Sequence, residues 1–274
     1  MIYIAMALYA EAAPLIDALG LKRRAGAGSW QEFVDEEQGI CLFLTGVGKL
    51  EAAIAVSHFA TKYAMGNDDF LVQLGSCAGR KIGQAYIIHR INDADTGRSY
   101  YPDVLYAHSL PEAGVTTGSR MLQNGVENES LYDMEASGVY QAAVRFLGPH
   151  RMAFVKVVSD VGQADRMTPN LLSDCMKEQM PTVLELLSDI RSYLEPEHQD
   201  LPDEEECQRR ERLYRDMCCS ETMRLQLQQW LEYLRLAGKS YWQQIDLDYE
   251  KEILPCHDRK AGKQYFEQFK DRML

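Results

Sequence analysis

Short apolar runs alternate with amphipathic stretches along the first two-thirds of the chain. Residues 1–8 (MIYIAMAL) are almost wholly apolar, the pattern of a strand buried on both faces. Residues 39–45 (GICLFLT), 69–74 (DFLVQL) and 152–159 (MAFVKVVS) repeat it. Residues 84–91 add another strand and residues 115–117 a short one. Between them, residues 11–19, 50–65 and 134–146 space their apolar side chains as helices do, and Gly20 stops the first of these. Residues 171–194 predict a long closing helix in which Pro181 starts a new segment or a kink. A tight turn is expected at Gly75-Ser76-Cys77-Ala78-Gly79. Strands interleaved with helices predict an α/β fold: a central, mostly parallel mixed sheet flanked by helices.

The periodicity lapses at residues 195–200, and an acidic stretch, Asp203-Glu204-Glu205-Glu206, follows as a linker or a helix start. Beyond it, residues 206–217 and 220–237 read as helices. Ser220 caps the second and Gly238 ends it. Met223, Leu227, Trp230, Leu231 and Leu234 form a stripe at helical spacing. The pair Tyr241-Trp242 and an amphipathic stretch over 262–274 complete the chain. The expected organisation is an α/β domain over 1–196 and an α-helical C-terminal extension over 197–274. The extension carries no catalytic motif. Its stripe could cover the first domain, form a dimer contact or dock a protein partner.

Charge narrows the possible partners. Across 274 residues the formal net charge is −12, with 46% hydrophobic and 26% charged residues. That argues against nucleic acid, whose phosphates need a basic surface, and against anionic membranes. A small, nearly neutral molecule remains compatible. No apolar run reaches the ~20 residues of a bilayer span, and the first residues lack a signal-peptide layout, so a cytoplasmic location is expected. The seven cysteines are irregularly spaced, without a Cys-x-x-Cys pair. They read as reduced thiols, and no metal and no cofactor is expected.

The polar residues worth attention follow the strand ends, where ligands bind in open α/β sheets. Ala7-Leu8-Tyr9-Ala10-Glu11 follows the first strand, Thr45-Gly46-Val47-Gly48-Lys49 the second, and Gly75-Ser76-Cys77-Ala78-Gly79 the third. Tyr132-Asp133-Met134-Glu135-Ala136 opens a helix, and Val157-Val158-Ser159-Asp160 ends the last strand. Small residues at a strand end let the backbone approach a ligand and offer N–H donors. Taken singly, Glu11 reads equally as a first-turn helix acid and Asp160 as a turn cap. Glu135 is different, because a carboxylate in an apolar helix start is costly without a partner.

In order and spacing these pieces resemble the methylthioadenosine/S-adenosylhomocysteine nucleosidases of the nucleoside phosphorylase superfamily, from Met1 to about Leu194. The most specific are Met134-Glu135-Ala136 and Ser159-Asp160 about 25 residues later. Asp93-Ala94-Asp95 and Thr117-Gly118-Ser119 add support. The resemblance implies a nucleoside phosphorylase-like sheet and hydrolysis of the N-glycosidic bond of a 5′-modified adenosine, releasing adenine. It implies Asp160 as general acid to the base, a role that calls for a raised pKa. Glu11 would position the water and Glu135 would hold the ribose hydroxyls. Met134 would pack on the ribose, with Val47 and Gly48 nearby. Met121 and Leu122 would clamp the purine, while Ser76 and Ser159 would bond the base or brace Asp160. It also implies a homodimer.

The chain departs from the family pattern in places. The segment between Asp95 and Thr117 is short, Ala78 replaces a glycine, and Lys156 replaces an arginine. Phosphorylases of the superfamily need a glycine in the first turn and arginines to hold phosphate. Here Glu11 stands in that turn and would repel the dianion, so water is the expected nucleophile. The alternative is a non-catalytic nucleoside-binding or scaffold protein. Methylthioadenosine, adenosylhomocysteine and 5′-deoxyadenosine all remain open as substrates.

Overall fold

The apolar runs assemble into one mixed sheet. The computed structural model describes residues 1–25, 30–66, 68–122, 125–126, 130–162, 168–194, 204–236 and 238–273. The chain divides into two compact units, Met1–Pro196 and Glu197–Leu274. Of the stretch over 195–206 expected as a linker or a helix start, residues 195–203 lie outside the described residues, as do Ala237 and Leu274 at two expected helix ends.

In the first unit, β1 (Ile2–Met6) leads into α1 (Tyr9–Leu19), β2 (Lys22–Arg23), β3 (Glu32–Asp35), β4 (Ile40–Leu44) and α2 (Lys49–Lys62). Then come β5 (Phe70–Ala78), β6 (Ala85–Asp93), β7 (Ser99–Tyr100), β8 (Glu112–Thr117), β9 (Leu131–Asp133) and α3 (Ala136–Ala143). The unit closes with β10 (Met152–Asp160), α4 (Pro169–Glu178) and α5 (Met180–Leu194). Among the described residues the sheet has ten strands, and β1 lies parallel between β4 and β5. Beyond β5 the sheet closes on itself. β5 pairs with β10, β10 with β6, β6 with β8, β8 with β9, and β9 returns to β5 through Ala78 and Tyr132.

Both faces of the sheet are covered. On one, Leu15 and Ile16 of α1, Met176 of α4 and Leu186 and Ile190 of α5 pack against Ile4, Leu42, Val72 and Val155. On the other, Val56 and Phe59 of α2 and Val139 of α3 pack against Phe43, Leu71 and Phe154. Each such side chain, fully buried, contributes about 1.5–3 kcal/mol. This double cover is why the strands read as continuous apolar runs.

Several expectations need correction. The turn expected at 75–79 is strand as far as Ala78, because β10 and β9 pair with that stretch. The helix expected from Met134 starts at Ala136, with Glu135 at its N-cap. The closing helix does break where Pro181 predicted a new segment: two helices meet at Gln179, and the second starts at Met180 with Pro181 in its first turn. The short segment after Asp95 contains β7, and Tyr106 and Leu110 bury themselves in the core, so β6 and β8 run parallel without a helix between them.

The second unit is helical. It comprises α6 (Glu204–Asp216), α7 (Glu221–Leu236), α8 (Trp242–Glu250) and α9 (Arg259–Met273). Leu227, Leu231 and Leu234 of the α7 stripe are buried with Leu213, Met217, Ile245, Phe266 and Phe269. Fully buried Asp248 is held by both terminal nitrogens of Arg272, at 2.8 and 2.7 Å, and by the Tyr265 hydroxyl at 2.7 Å. No described helix is long and apolar enough to cross a membrane.

Candidate active site

Glu11 is placed by its own helix. At the third position of α1 its Oε2 reaches back to accept the N–H of Leu8 at 3.0 Å, a group with no partner within the helix. Its Oε1 accepts the Ser76 N–H at 2.9 Å and the Ser76 hydroxyl at 2.6 Å. These bonds, across 65 positions, tie the start of α1 to β5 and keep a buried carboxylate satisfied.

Glu135 is buried at the N-cap of α3, and its Oε1 accepts the N–H of Gly48 at 2.8 Å. Gly48 can point its N–H there because it holds φ at 101°, a backbone region that glycine reaches without penalty. Burial pushes the Glu135 carboxyl up to about 7. The Lys156 ammonium and the Gly48 N–H pull it down, while the Asp133 and Glu11 carboxylates push it up.

Beneath Glu135 lies an ion pair that the sequence does not announce. Lys156 of β10 and Asp133 of β9 are fully buried and meet at 2.6 Å. Burial works against the charged lysine, but Asp133 and Glu135 outweigh it and hold its pKa above the ordinary value. Asp133 also accepts the Thr117 hydroxyl at 2.6 Å and the Ala136 N–H at 2.8 Å, so one carboxylate ends β9 and caps α3.

Ser159 and Asp160 both face the site, although neighbours in a regular strand point to opposite sides. The register of β10 against β5 shifts between Val158 and Asp160, and this irregularity re-aims the pair. The Ser159 hydroxyl then donates to Asp160 Oδ2 at 3.0 Å, and the N–H of Gly162 donates to Oδ1 at 2.6 Å.

These elements surround a cavity of about 760 Å³, within the range of small-molecule sites. Glu11, Ser76, Val47, Met121 and Leu122 line it, and so do Met134, Glu135, Ser159 and Asp160. Gly48 stands behind the wall and acts through its bond to Glu135. Met121, Val47, Leu8 and Tyr9 leave large apolar surfaces exposed at this cavity. Residues given no role from the sequence also line it, among them Cys77 and Tyr132 of the quoted motifs and Thr168, Asn170 and Ser173. For the last three a signal existed: Thr168-Pro169 is an N-cap followed by a first-turn proline, which places the start of α4 ahead of Leu171.

Chemically, the cavity sets carboxylates from three chain segments around one space. Two of them are buried and fixed by backbone N–H groups, an arrangement suited to holding hydroxyls or a water. The third, Asp160, sits at a strand end, held by the Ser159 hydroxyl and the Gly162 N–H.

No family model and no curated protein sequence matches the chain. Solved structures do. The 5′-methylthioadenosine/S-adenosylhomocysteine nucleosidase from Neisseria meningitidis, solved with methylthio-immucillin-A, superposes with a TM-score of 0.54 at 17% identity, covering 68% of this chain and 99% of that one. The enzyme from S. pneumoniae, with a transition-state inhibitor, gives a TM-score of 0.56 at 16% identity, covering 69% and 99%. A futalosine hydrolase mutant from Helicobacter pylori gives 0.55 at 11% identity, covering 68% and 98%. Over about two-thirds of its length, therefore, the chain has the fold of these nucleosidases.

Proposed function

We propose that the chain is an N-ribosyl purine nucleosidase that hydrolyses the glycosidic bond of a 5′-modified adenosine. The observation that carries this reading is the meeting of Glu11, Glu135 and Asp160 at one cavity. Asp160 donates a proton to a ring nitrogen of adenine, making the base a competent leaving group. The bond from ribose C1′ to the base breaks and positive charge develops on the sugar, as in other glycoside hydrolyses. Glu135 holds the ribose hydroxyls through that change. Glu11, braced by Ser76, orients a water and accepts its proton as the oxygen bonds C1′. Adenine and a 5-substituted ribose leave. The solved structures with nucleoside-analogue inhibitors support a ligand of this kind.

The test is adenine release, followed by chromatography, from a panel of 5′-substituted adenosines without phosphate, with Asp160→Asn as control. Release by the wild type alone is expected. Binding detectable by calorimetry with no release from any substrate would replace the hydrolase with a nucleoside-binding protein.

A further inference from the structure

Lys156 is fully buried and is not among the residues lining the cavity, so it cannot touch a ligand there. It is nonetheless central to the polar groups that do. On β10 it pairs across the sheet with Gly75 of β5. A Cβ at Gly75 would lie 3.6 Å from the Lys156 ammonium, 3.7 Å from Glu11 Oε1 and 3.4 Å from the Gln73 amide nitrogen. The lysine head group and the Glu11 carboxylate thus both lie beside the Gly75 backbone. On its other side the ammonium meets Asp133, whose Oδ2 accepts the N–H groups of Glu135 and Ala136 at 3.3 and 2.8 Å. One buried cation is therefore set among the Glu11, Asp133 and Glu135 carboxylates.

We propose that Lys156 is the positioning residue of this site: it fixes Asp133, and with it the turn that carries Glu135, and it decides whether Glu135 meets a ligand as carboxylate or as carboxylic acid. That Glu135 is the ligand-binding carboxylate rests on the function proposed above. The groups facing Glu135 are Glu11 from α1, Lys156 from β10, Asp133 from β9 and the Gly48 N–H, with the Cys77 thiol of β5 beside Lys156. Lys49, next to Gly48, is occupied by Asp93 and Asp95. Lys156 therefore acts against the Glu11 and Asp133 carboxylates, and its removal and that of Asp133 have opposite signs.

The experiment follows the Glu135 carboxyl itself, by difference infrared titration of the full-length protein without ligand, with Glu135→Gln assigning the band. Lys156→Met is expected to move the titration about 1–3 pH units upward, the range for losing a nearby opposite charge. Asp133→Asn is expected to move it downward. Should either single variant fail to fold, the double variant Lys156→Met/Asp133→Asn, which leaves no unpaired charge, is expected to titrate above the wild type, because the lysine has the larger effect. Shifts of the same sign in both single variants, or a double variant titrating with the wild type, would overturn the proposal. The readout needs no turnover, so an inactive protein whose Glu135 still shifts as expected refutes the nucleosidase reading and leaves the role of Lys156 standing.

Discussion

The backbone N–H of Gly48 donates to Glu135 Oε1 at 2.8 Å, joining two residues 87 positions apart. The loop after β4 and the start of α3 are thereby tied together. Two further contacts hold it: Lys49 bonds both oxygens of Asp93 at 2.9 and 3.0 Å, and the Ser137 hydroxyl bonds Asp93 at 2.8 Å. The geometry of Glu135 thus depends on how closely α2 and α3 approach.

That approach is set by Gly138, where a Cβ would fall 2.0 Å from the carbonyl oxygen of Lys49. Backbone cannot yield as a flexible side chain can. Gly138→Ala is expected to cost about 1–3 kcal/mol or more. Calorimetry should show this as a fall in Tm of about 2–4 °C per kcal/mol, accompanied by weaker nucleoside binding.

The raised Glu135 carboxyl links stability to pH. In the folded chain it titrates at about 7, against an ordinary value near 4.5, so folding favours its protonated form. Its contribution is fully present below about 4.5 and is lost as pH rises through about 7, a change of roughly 3 kcal/mol. Urea unfolding at a series of pH values should show this decline between those limits. Glu135→Gln is expected to flatten it, and an unchanged slope would place the titration on another group.

Asp160→Asn keeps the shape of the side chain and one acceptor, for the Ser159 hydroxyl or the Gly162 N–H, but removes the proton that the proposed acid would donate. Turnover is expected to fall about 10²–10⁴-fold. Nucleoside affinity should stay within a few-fold by calorimetry, and survival of turnover would exclude Asp160 as the acid.

The division after Pro196 makes truncation informative. The two core clusters on the sheet draw all their residues from the first unit. A chain ending at Pro196 is expected to be soluble and to unfold cooperatively. Aggregation of that chain would mean that Glu197–Leu274 supplies part of its stability.

Legibility of the fold followed burial. Strands covered on both faces, such as Ile40–Leu44, declare themselves as apolar runs, and Leu15, Ile16, Gly20 and Ser220 marked helices as local chemistry requires. β3 escaped because Glu32 interrupts its pattern, and only the folded chain shows that Lys62 and Tyr63 satisfy that buried acid. β9 is three residues long and owes its existence to partners on both sides. Among the site residues, position alone left Glu11 as an ordinary helix acid and Asp160 as a turn cap; the joint order and spacing of the motifs, with Glu135 in an apolar helix start, made them readable. Lys156 was readable only as a lysine in place of the family's arginine, since its partner Asp133 is set by topology rather than by spacing.

Closure of β5, β10, β6, β8 and β9 into a ring also bears on self-association. Strands in a ring expose no continuous edge, so a foreign strand has nowhere to add beside the catalytic candidates on β5 and β10. Among the described residues, the open edge at the end of the main path is β2, whose Lys22 and Arg23 are both exposed. At ~4.8 Å per strand it stands roughly 14 Å beyond β1. A two-residue, doubly positive edge is a poor template for edge-to-edge growth, and β5 and β10, which carry Ser76 and Asp160, lie away from it.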